Sequence, residues 1–191
     1  MKKDMLEMRW HGRAGQGIVT AAAVLAQVIS KKGKYVQAYP EFGAEKRGAP
    51  VVAFNRVSND PIRLHSHVKK PRIVLVVDPT LIKVVDICEG TEDDAIIIVN
   101  TSKDPTAVRE KAGIRGRKIC TLDASRISEE ELGRPIPNMP MLGAFMKVTG
   151  MYKVDDLTST IFELLEKRFS PKVVEENIRA IRRGFEEVIE G

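Results

Sequence analysis

Residues 11–33 read HGRAGQGIVTAAAVLAQVISKKG, three glycines in six positions followed by a dense run of alanine, valine, leucine and isoleucine. Glycine surrenders the most backbone freedom on folding. A cluster of Gly12, Gly15 and Gly17 therefore needs a steric reason: a positive φ, close packing, or a ligand lying on bare backbone. From Ile18 to Ser30 the apolar residues are too dense for a surface helix with one narrow stripe, which predicts a helix packed hard on a sheet. Met5–Trp10, ahead of the turn, reads as a short strand. Strand, glycine turn and buried helix together form the opening unit of an α/β fold.

Working outward, Lys34–Ala38 reads as a second strand, followed by YPEFGAEKRGAP, a loop rich in proline, glycine and charge. Val51–Val57 and Ile62–His65 flank Ser58-Asn59-Asp60-Pro61 and predict a hairpin. Ile73–Val77 and Ala95–Val99 are continuous β-branched runs, as in strands of a parallel sheet covered on both faces. Leu81, Val84, Val85 and Cys88 give Pro79–Cys88 helical spacing, and Lys118–Leu122 is a further strand. After residue 125 the chain turns helical. Ser128 with Glu131 forms a capping box, and Gly133 and Pro135 keep that helix short. A helix over Met141–Val148 starts near Asn138 or Met139 and ends at Gly150. Asp155–Phe169 is helical too. Ser170 and Pro171 open a last amphipathic helix carrying Val174, Ile178, Ile181, Phe185 and Ile189. The expected fold is α/β: a doubly wound, mostly parallel, Rossmann-like sheet with an antiparallel hairpin and C-terminal helices. Residues 1–191 are expected to form one domain.

Composition narrows the function. With 43% hydrophobic residues in 191, the chain can bury a sizeable core. No window approaches the ~18 apolar residues of a membrane span, and MKKDMLEMRW lacks an apolar signal core, so a cytoplasmic protein without membrane contact is expected. The net charge of +5 favours anionic ligands, whereas 31 basic residues mixed with 26 acidic ones and only 5% aromatics argue against a nucleic-acid surface. The 30% charged residues and only three glutamines lean toward a heat-loving source. Cys88 and Cys120 read as buried small hydrophobes. A cluster needs about four thiolates, which excludes iron–sulfur ligation by this chain alone, and no metal site is expected. His11, His65 and His67 lack a serine or cysteine partner, so no catalytic residue is assigned.

In open parallel sheets the first strand–helix turn commonly cradles a phosphate, with peptide N–H groups and the helix dipole favouring an anion. The spacing Gly12-x-x-Gly15-x-Gly17 reverses the nicotinamide fingerprint. No acidic residue ends the second strand before Glu41, which speaks against NAD. Gly17 is followed by Ile18 rather than Lys-Ser/Thr, so the turn is not a P-loop. Two readings stay open on the residues alone: a seat for a phosphate or diphosphate, and a tight turn under a close-packed helix. The loop EFGAEKRGAP likewise reads either as a solvated surface or as an ordered loop whose Lys46 or Arg47 reaches an anion.

The motifs GRAGQG, AYPEFGAEKRGAPVVAFNRVS and PNMPMLGAFMKVTG, in this order and over nearly the whole chain, resemble the gamma subunits of the pyruvate:ferredoxin oxidoreductases. One departure is Ala14, where relatives often carry glycine. The resemblance implies one part of a larger enzyme that converts pyruvate, coenzyme A and oxidised ferredoxin to acetyl-CoA, carbon dioxide and reduced ferredoxin. It implies thiamine diphosphate on alpha and beta subunits and [4Fe-4S] clusters on beta and delta subunits. It further implies that the gamma chain helps receive coenzyme A, as substrate, and that the isolated chain is inactive. By position, Gly12, Arg13, Gly15, Gln16 and Gly17 are the candidates for the diphosphate, with Arg13, Lys46 and Arg47 supplying positive charge. The loop and Asn138 fall at the mouth of the site or against the catalytic subunits. A gamma subunit for another 2-oxoacid (2-oxoisovalerate, 2-oxoglutarate or indolepyruvate), a stand-alone nucleotide-binding module, and a purely scaffolding chain are the alternatives.

Overall fold

In the computed structural model, which describes residues 5–42 and 49–191, the glycine turn joins strand β1 (Leu6–Arg13) to helix α1 (Ile18–Lys31). β2 (Tyr35–Phe42) and β3 (Pro50–Ser58) follow, then β4 (Ile73–Val76), a short 3-10 helix (Pro79–Lys83) and β5 (Ile96–Asn100). Next come α2 (Pro105–Ala112), β6 (Lys118–Leu122), α3 (Ala124–Leu132), α4 (Asn138–Thr149), α5 (Val154–Leu165), α6 (Pro171–Glu187) and β7 (Ile189–Glu190). The strands form one sheet in the order β2-β3-β1-β4-β5-β6-β7. β1, β4, β5 and β6 pair in parallel, β3 runs antiparallel between β2 and β1, and β7 runs antiparallel to β6.

Alternation along each strand explains the layers, because successive side chains leave on opposite faces. Met8 and Trp10 of β1 face the larger core with Leu25 and Ile29 of α1, Leu142 and Phe145 of α4 and Ile181 of α6. Val74 and Val76 of β4, Ile97 and Val99 of β5 and Ile119 of β6 face a smaller core closed by Ile87, Val108 and Ile114. Helices thus cover both faces of the parallel strands, as the unbroken IVLVV and AIIIV runs require.

Several expected elements differ. Val51–Val57 is a strand, but its partners are β2 and β1, and Ile62–His65 forms no strand. The antiparallel hairpin is therefore β2–β3. Arg56 on β3 is fully buried and needs β1 beside it: its Nε donates to Glu7 Oε1 at 2.8 Å. The segment after β3 stays irregular and lies over the strands, its Leu64 and Ser66 carbonyls accepting from Gln37 Nε2 at 3.1 Å and Arg56 Nη2 at 2.5 Å. β2 extends to Phe42 rather than ending at Ala38. The helix expected over Pro79–Cys88 shrinks to the 3-10 turn. α3 is capped by Asp123, which accepts from Arg126 N at 3.1 Å, and not by a Ser128–Glu131 box. Ser128 instead is buried mid-helix, its hydroxyl donating to Ile136 O at 2.8 Å. α6 ends at Glu187, and Ile189 passes into β7. α2, which the hydrophobic pattern conceals because only Pro105 and Val108 are buried, opens on the Asp104 cap and stops at Gly113.

No helix among the described residues is long and apolar enough to cross a membrane.

Candidate functional site

The glycine turn sits at the carboxyl end of β1. α1 carries the chain from β1 toward the β2 side of the sheet, whereas the connection from β4 runs the other way to β5. The crevice between the ends of β1 and β4 is therefore the topological switch point, where open α/β sheets place their ligands.

Within the turn the glycines do different jobs. Gly12 is buried, and a Cβ there would lie 2.7 Å from Ile18 Cγ2, so it lets the start of α1 close onto β1 from beneath. Gly15 takes φ 93° and Gly17 φ 73°, the left-handed region that side chains resist. A Cβ on Gly15 would meet no described atom within 4 Å, so the face of this peptide is open. No side chain caps α1, so its first N–H groups are left without a side-chain acceptor there.

A buried carboxylate holds the turn. Asp78, immediately after β4 and 7% exposed, accepts from Arg13 Nε at 3.1 Å and Gln16 Nε2 at 3.0 Å through Oδ2. Its Oδ1 accepts from Thr80 N at 2.9 Å and Thr80 Oγ1 at 2.6 Å. Arg13 Nη2 also donates to Thr80 Oγ1 at 3.2 Å, and Gln16 Oε1 accepts from Arg13 N at 2.8 Å. Burial raises the Asp78 carboxyl, but the Thr80 and Gln16 hydrogen bonds and the Arg13 charge outweigh it and hold the group below its ordinary value. Arg13 and Gln16 thus face the crevice in fixed orientations. Sequence reasoning missed Asp78 and Thr80. Their signal was Asp-Pro-Thr directly after IVLVV, the signature of a cap with proline in the first turn.

Asn138 closes the other side. α4 is buried from Asn138 to Met146, and its first residue packs on Gly17, where a Cβ would come 2.5 Å from Asn138 Nδ2. Asn138 Oδ1 accepts from Met139 N at 2.9 Å. Behind the turn a buried clamp ties three elements together: Trp10 Nε1 donates to Asn55 Oδ1, and Asn55 Nδ2 donates to Ala22 O, both at 2.9 Å.

Of the residues singled out in the sequence, Arg13, Gly15, Gln16, Gly17 and Asn138 converge on one crevice, and Gly12 supports it from below. Lys46 and Arg47 lie outside the described residues. His11 is buried, and burial with the Arg9 charge pushes its pKa down to about 4, so it is neutral near pH 7. His65 and His67 are exposed, and His67 Nδ1 lies 3.2 Å from Glu41 Oε2. Cys120 is buried, which pushes its thiol up to about 11, and Cys88 is half-buried. A protonated thiol is a poor iron ligand. Among the described residues no three His, Cys, Asp or Glu side chains gather where they would hold a metal ion.

Comparison with known proteins adds to this geometry. The sequence pattern of the family described as pyruvate ferredoxin/flavodoxin oxidoreductase matches residues 7–187. The pyruvate synthase subunit PorC of Thermotoga maritima is 48% identical over 97% of this chain and 96% of its own length. The common gamma subunit of the pyruvate/ketoisovalerate oxidoreductases of Pyrococcus furiosus is 46% identical over 95% of this chain and 96% of its own. The crystal structure of pyruvate oxidoreductase subunit PORC from Thermotoga maritima superposes with a TM-score of 0.88 at 45% identity, covering 100% of this chain and 99% of that one.

Proposed function

The chain belongs to the pyruvate ferredoxin/flavodoxin oxidoreductase family, and from that premise we propose that it provides the coenzyme A seat of a pyruvate:ferredoxin oxidoreductase. It is one subunit of such an oxidoreductase. In this reading alpha, beta and delta subunits complete the enzyme, ferredoxin docks on the assembled complex, and the chain alone turns nothing over. The overall reaction takes pyruvate, coenzyme A and oxidised ferredoxin to acetyl-CoA, carbon dioxide and reduced ferredoxin. Thiamine diphosphate and the [4Fe-4S] clusters belong to the partner subunits; they supply the decarboxylation chemistry and the path for the electrons. The residues of this chain bind and orient.

The observation that carries the reading is the open, left-handed peptide at Gly15, set at the switch point beside the uncapped start of α1. An anion there meets peptide N–H groups and the positive end of the helix dipole. Asp78 holds Arg13 and Gln16 in place before the ligand arrives, so little side-chain freedom is lost on binding. The diphosphate of coenzyme A takes this seat, with Asn138 at its mouth.

Reconstitution with the partner subunits tests it. Gly15→Val places a branched side chain over the open peptide and raises KM for coenzyme A tenfold or more, by roughly the worth of a charge-assisted hydrogen bond. KM for pyruvate stays put. An unaltered KM for coenzyme A would leave the chain an assembly role only.

The Pyrococcus relative, named as a subunit common to pyruvate and ketoisovalerate oxidoreductases, favours a second reading. Here one gamma chain serves two enzymes, and the 2-oxoacid is chosen by the other subunits. Turnover of pyruvate and 2-oxoisovalerate by complexes built with alternative catalytic subunits around this chain decides between them.

A further inference from the structure

Arg9 and His11 leave β1 on the face of the sheet opposite α1, in register with Val74 and Val76 of β4. On that face the irregular segment after β3 and the turn through Val85 and Gly90 wall a pocket of about 570 Å3. Both side chains line it and both are more than nine-tenths buried, Arg9 7% exposed and His11 6%. Val52, Phe54, Val68 and Val85 give it apolar walls. Neither polar group is satisfied. Arg9 Nη2 donates to Ile87 O at 3.0 Å and Glu89 O at 2.9 Å, which leaves Nε and Nη1 without a partner among the described residues. Neither ring nitrogen of His11 has one there either, and Nε2 is fully buried.

Two other arginines of these strands differ. Arg56 is held by Glu7 at 2.8 Å and Arg13 by Asp78 at 3.1 Å, so a carboxylate of this chain compensates each charge. Arg9 makes no ion pair among the described residues. Asp86 and Glu89 line the same pocket, but both are exposed and water screens them. A buried guanidinium without a counter-charge in contact is costly, and a planar carboxylate matches its fork of donors. We infer that this pocket receives a carboxylate on a short apolar stem, supplied by a free organic acid: the carboxylate takes the Nη1 hydrogens of Arg9 with the His11 imidazole beside it, and the stem lies among Val52, Phe54, Val68 and Val85. An aspartate or glutamate of a partner subunit presents the same group, and the test separates the two sources. Nothing in the inference depends on the coenzyme A seat.

The probe is isobutyrate at neutral pH, where it is ionised, and the control is isobutyramide, which keeps the shape and lacks the charge. In the full-length chain isobutyrate shifts the His11 ring resonances saturably and leaves those of His65, which does not line the pocket, in place. Isobutyramide binds at least about tenfold more weakly, the worth of a charge-assisted hydrogen bond. Arg9→Met, which keeps an apolar stem and removes the guanidinium, weakens isobutyrate about tenfold or more and moves isobutyramide by less than about twofold. The comparison of acid with amide needs no variant, so it decides even if Arg9→Met fails to fold. After reconstitution with the partner subunits, equilibrium dialysis shows labelled isobutyrate still bound, and the complex carrying Arg9→Met binds it at least about tenfold more weakly. A His11 signal that does not move, or equal affinity for acid and amide, would overturn the inference. Binding to the chain alone that vanishes in the complex would overturn the free acid as the source and give the pocket to a partner's carboxylate side chain.

Discussion

Asn138 and Gly17 touch across 121 residues of sequence: the Asn138 side chain occupies the space a Cβ on Gly17 would need, with Nδ2 only 2.5 Å from that position. The start of α4 and the start of α1 are thereby fixed against each other at the mouth of the crevice. Gly17→Ala strains the backbone, since φ 73° costs a side chain about 1–2 kcal/mol, and it also displaces Asn138 at an overpacking cost of about 1–3 kcal/mol. The expected loss, about 2–5 kcal/mol, is read by denaturant titration. Gly17→Ala with Asn138→Gly should recover the packing part and leave the strain.

Asp78 gathers four donors, and replacing it with asparagine turns one of its oxygens into a donor facing either Arg13 and Gln16 or Thr80. Leaving such a buried contact unsatisfied costs about 1–3 kcal/mol. Asp78→Asn should lower stability by that amount and raise KM for coenzyme A, because Arg13 and Gln16 lose their orientation, without changing which chains co-purify. The acid limb also follows. The folded carboxyl titrates below its ordinary value, so its contribution is complete above about pH 4 and is lost as pH falls through the lower folded value. Asp78→Asn should remove that part of the loss below pH 4. An unchanged acid limb would mean that Asp78 is not the group responsible.

His11 gives a separate window. Its folded pKa of about 4 lies below the unfolded value near 6.5, so between the two the unfolded chain binds the extra proton. Stability is therefore complete above pH 6.5 and falls as pH drops toward 4, by on the order of 3 kcal/mol. His11→Gln should flatten the unfolding free energy across this interval while leaving the limb below pH 4 intact. A slope that survives the substitution would assign it to another group.

Legibility in the sequence followed the range of the forces involved. The parallel strands were plain because burial on both faces writes β-branched runs directly, and the turn was plain because only glycine takes φ 93° and 73° cheaply. The position of β3 was hidden: Arg56 looks like a solvated residue until Glu7 on β1 is placed beside it, and that pairing is between strands far apart in sequence. Asp78 was hidden for the same reason, since nothing local ties it to Gln16, 62 residues earlier. α2 is short and half exposed, so its hydrophobic pattern is faint and only the Asp104-Pro105 start and the Gly113 stop mark it. Asn138 was legible through its motif alone, and its contact with Gly17 needed the fold.

Propensity and packing oppose each other in α4, the helix that delivers Asn138. Helix propensity alone says that Gly143→Ala stabilises by about 1 kcal/mol. The geometry says otherwise. A Cβ at Gly143 would lie 2.0 Å from Ile181 O and 2.8 Å from Phe185 N of α6, and one at Gly184 of α6 would lie 2.1 Å from Pro140 O. These neighbours are backbone inside helices, so neither can turn aside as a flexible side chain would, and α4 and α6 must separate. Overpacking of this kind costs about 1–3 kcal/mol and here also pulls apart buried neighbours such as Leu142, Phe145 and Ile181. Gly143→Ala and Gly184→Ala should each destabilise, the sign opposite to propensity. Because α4 begins at Asn138, the shift should also reach the glycine turn and raise KM for coenzyme A in the assembled enzyme. A stabilised Gly143→Ala protein would mean that the helices do not cross on these two glycines.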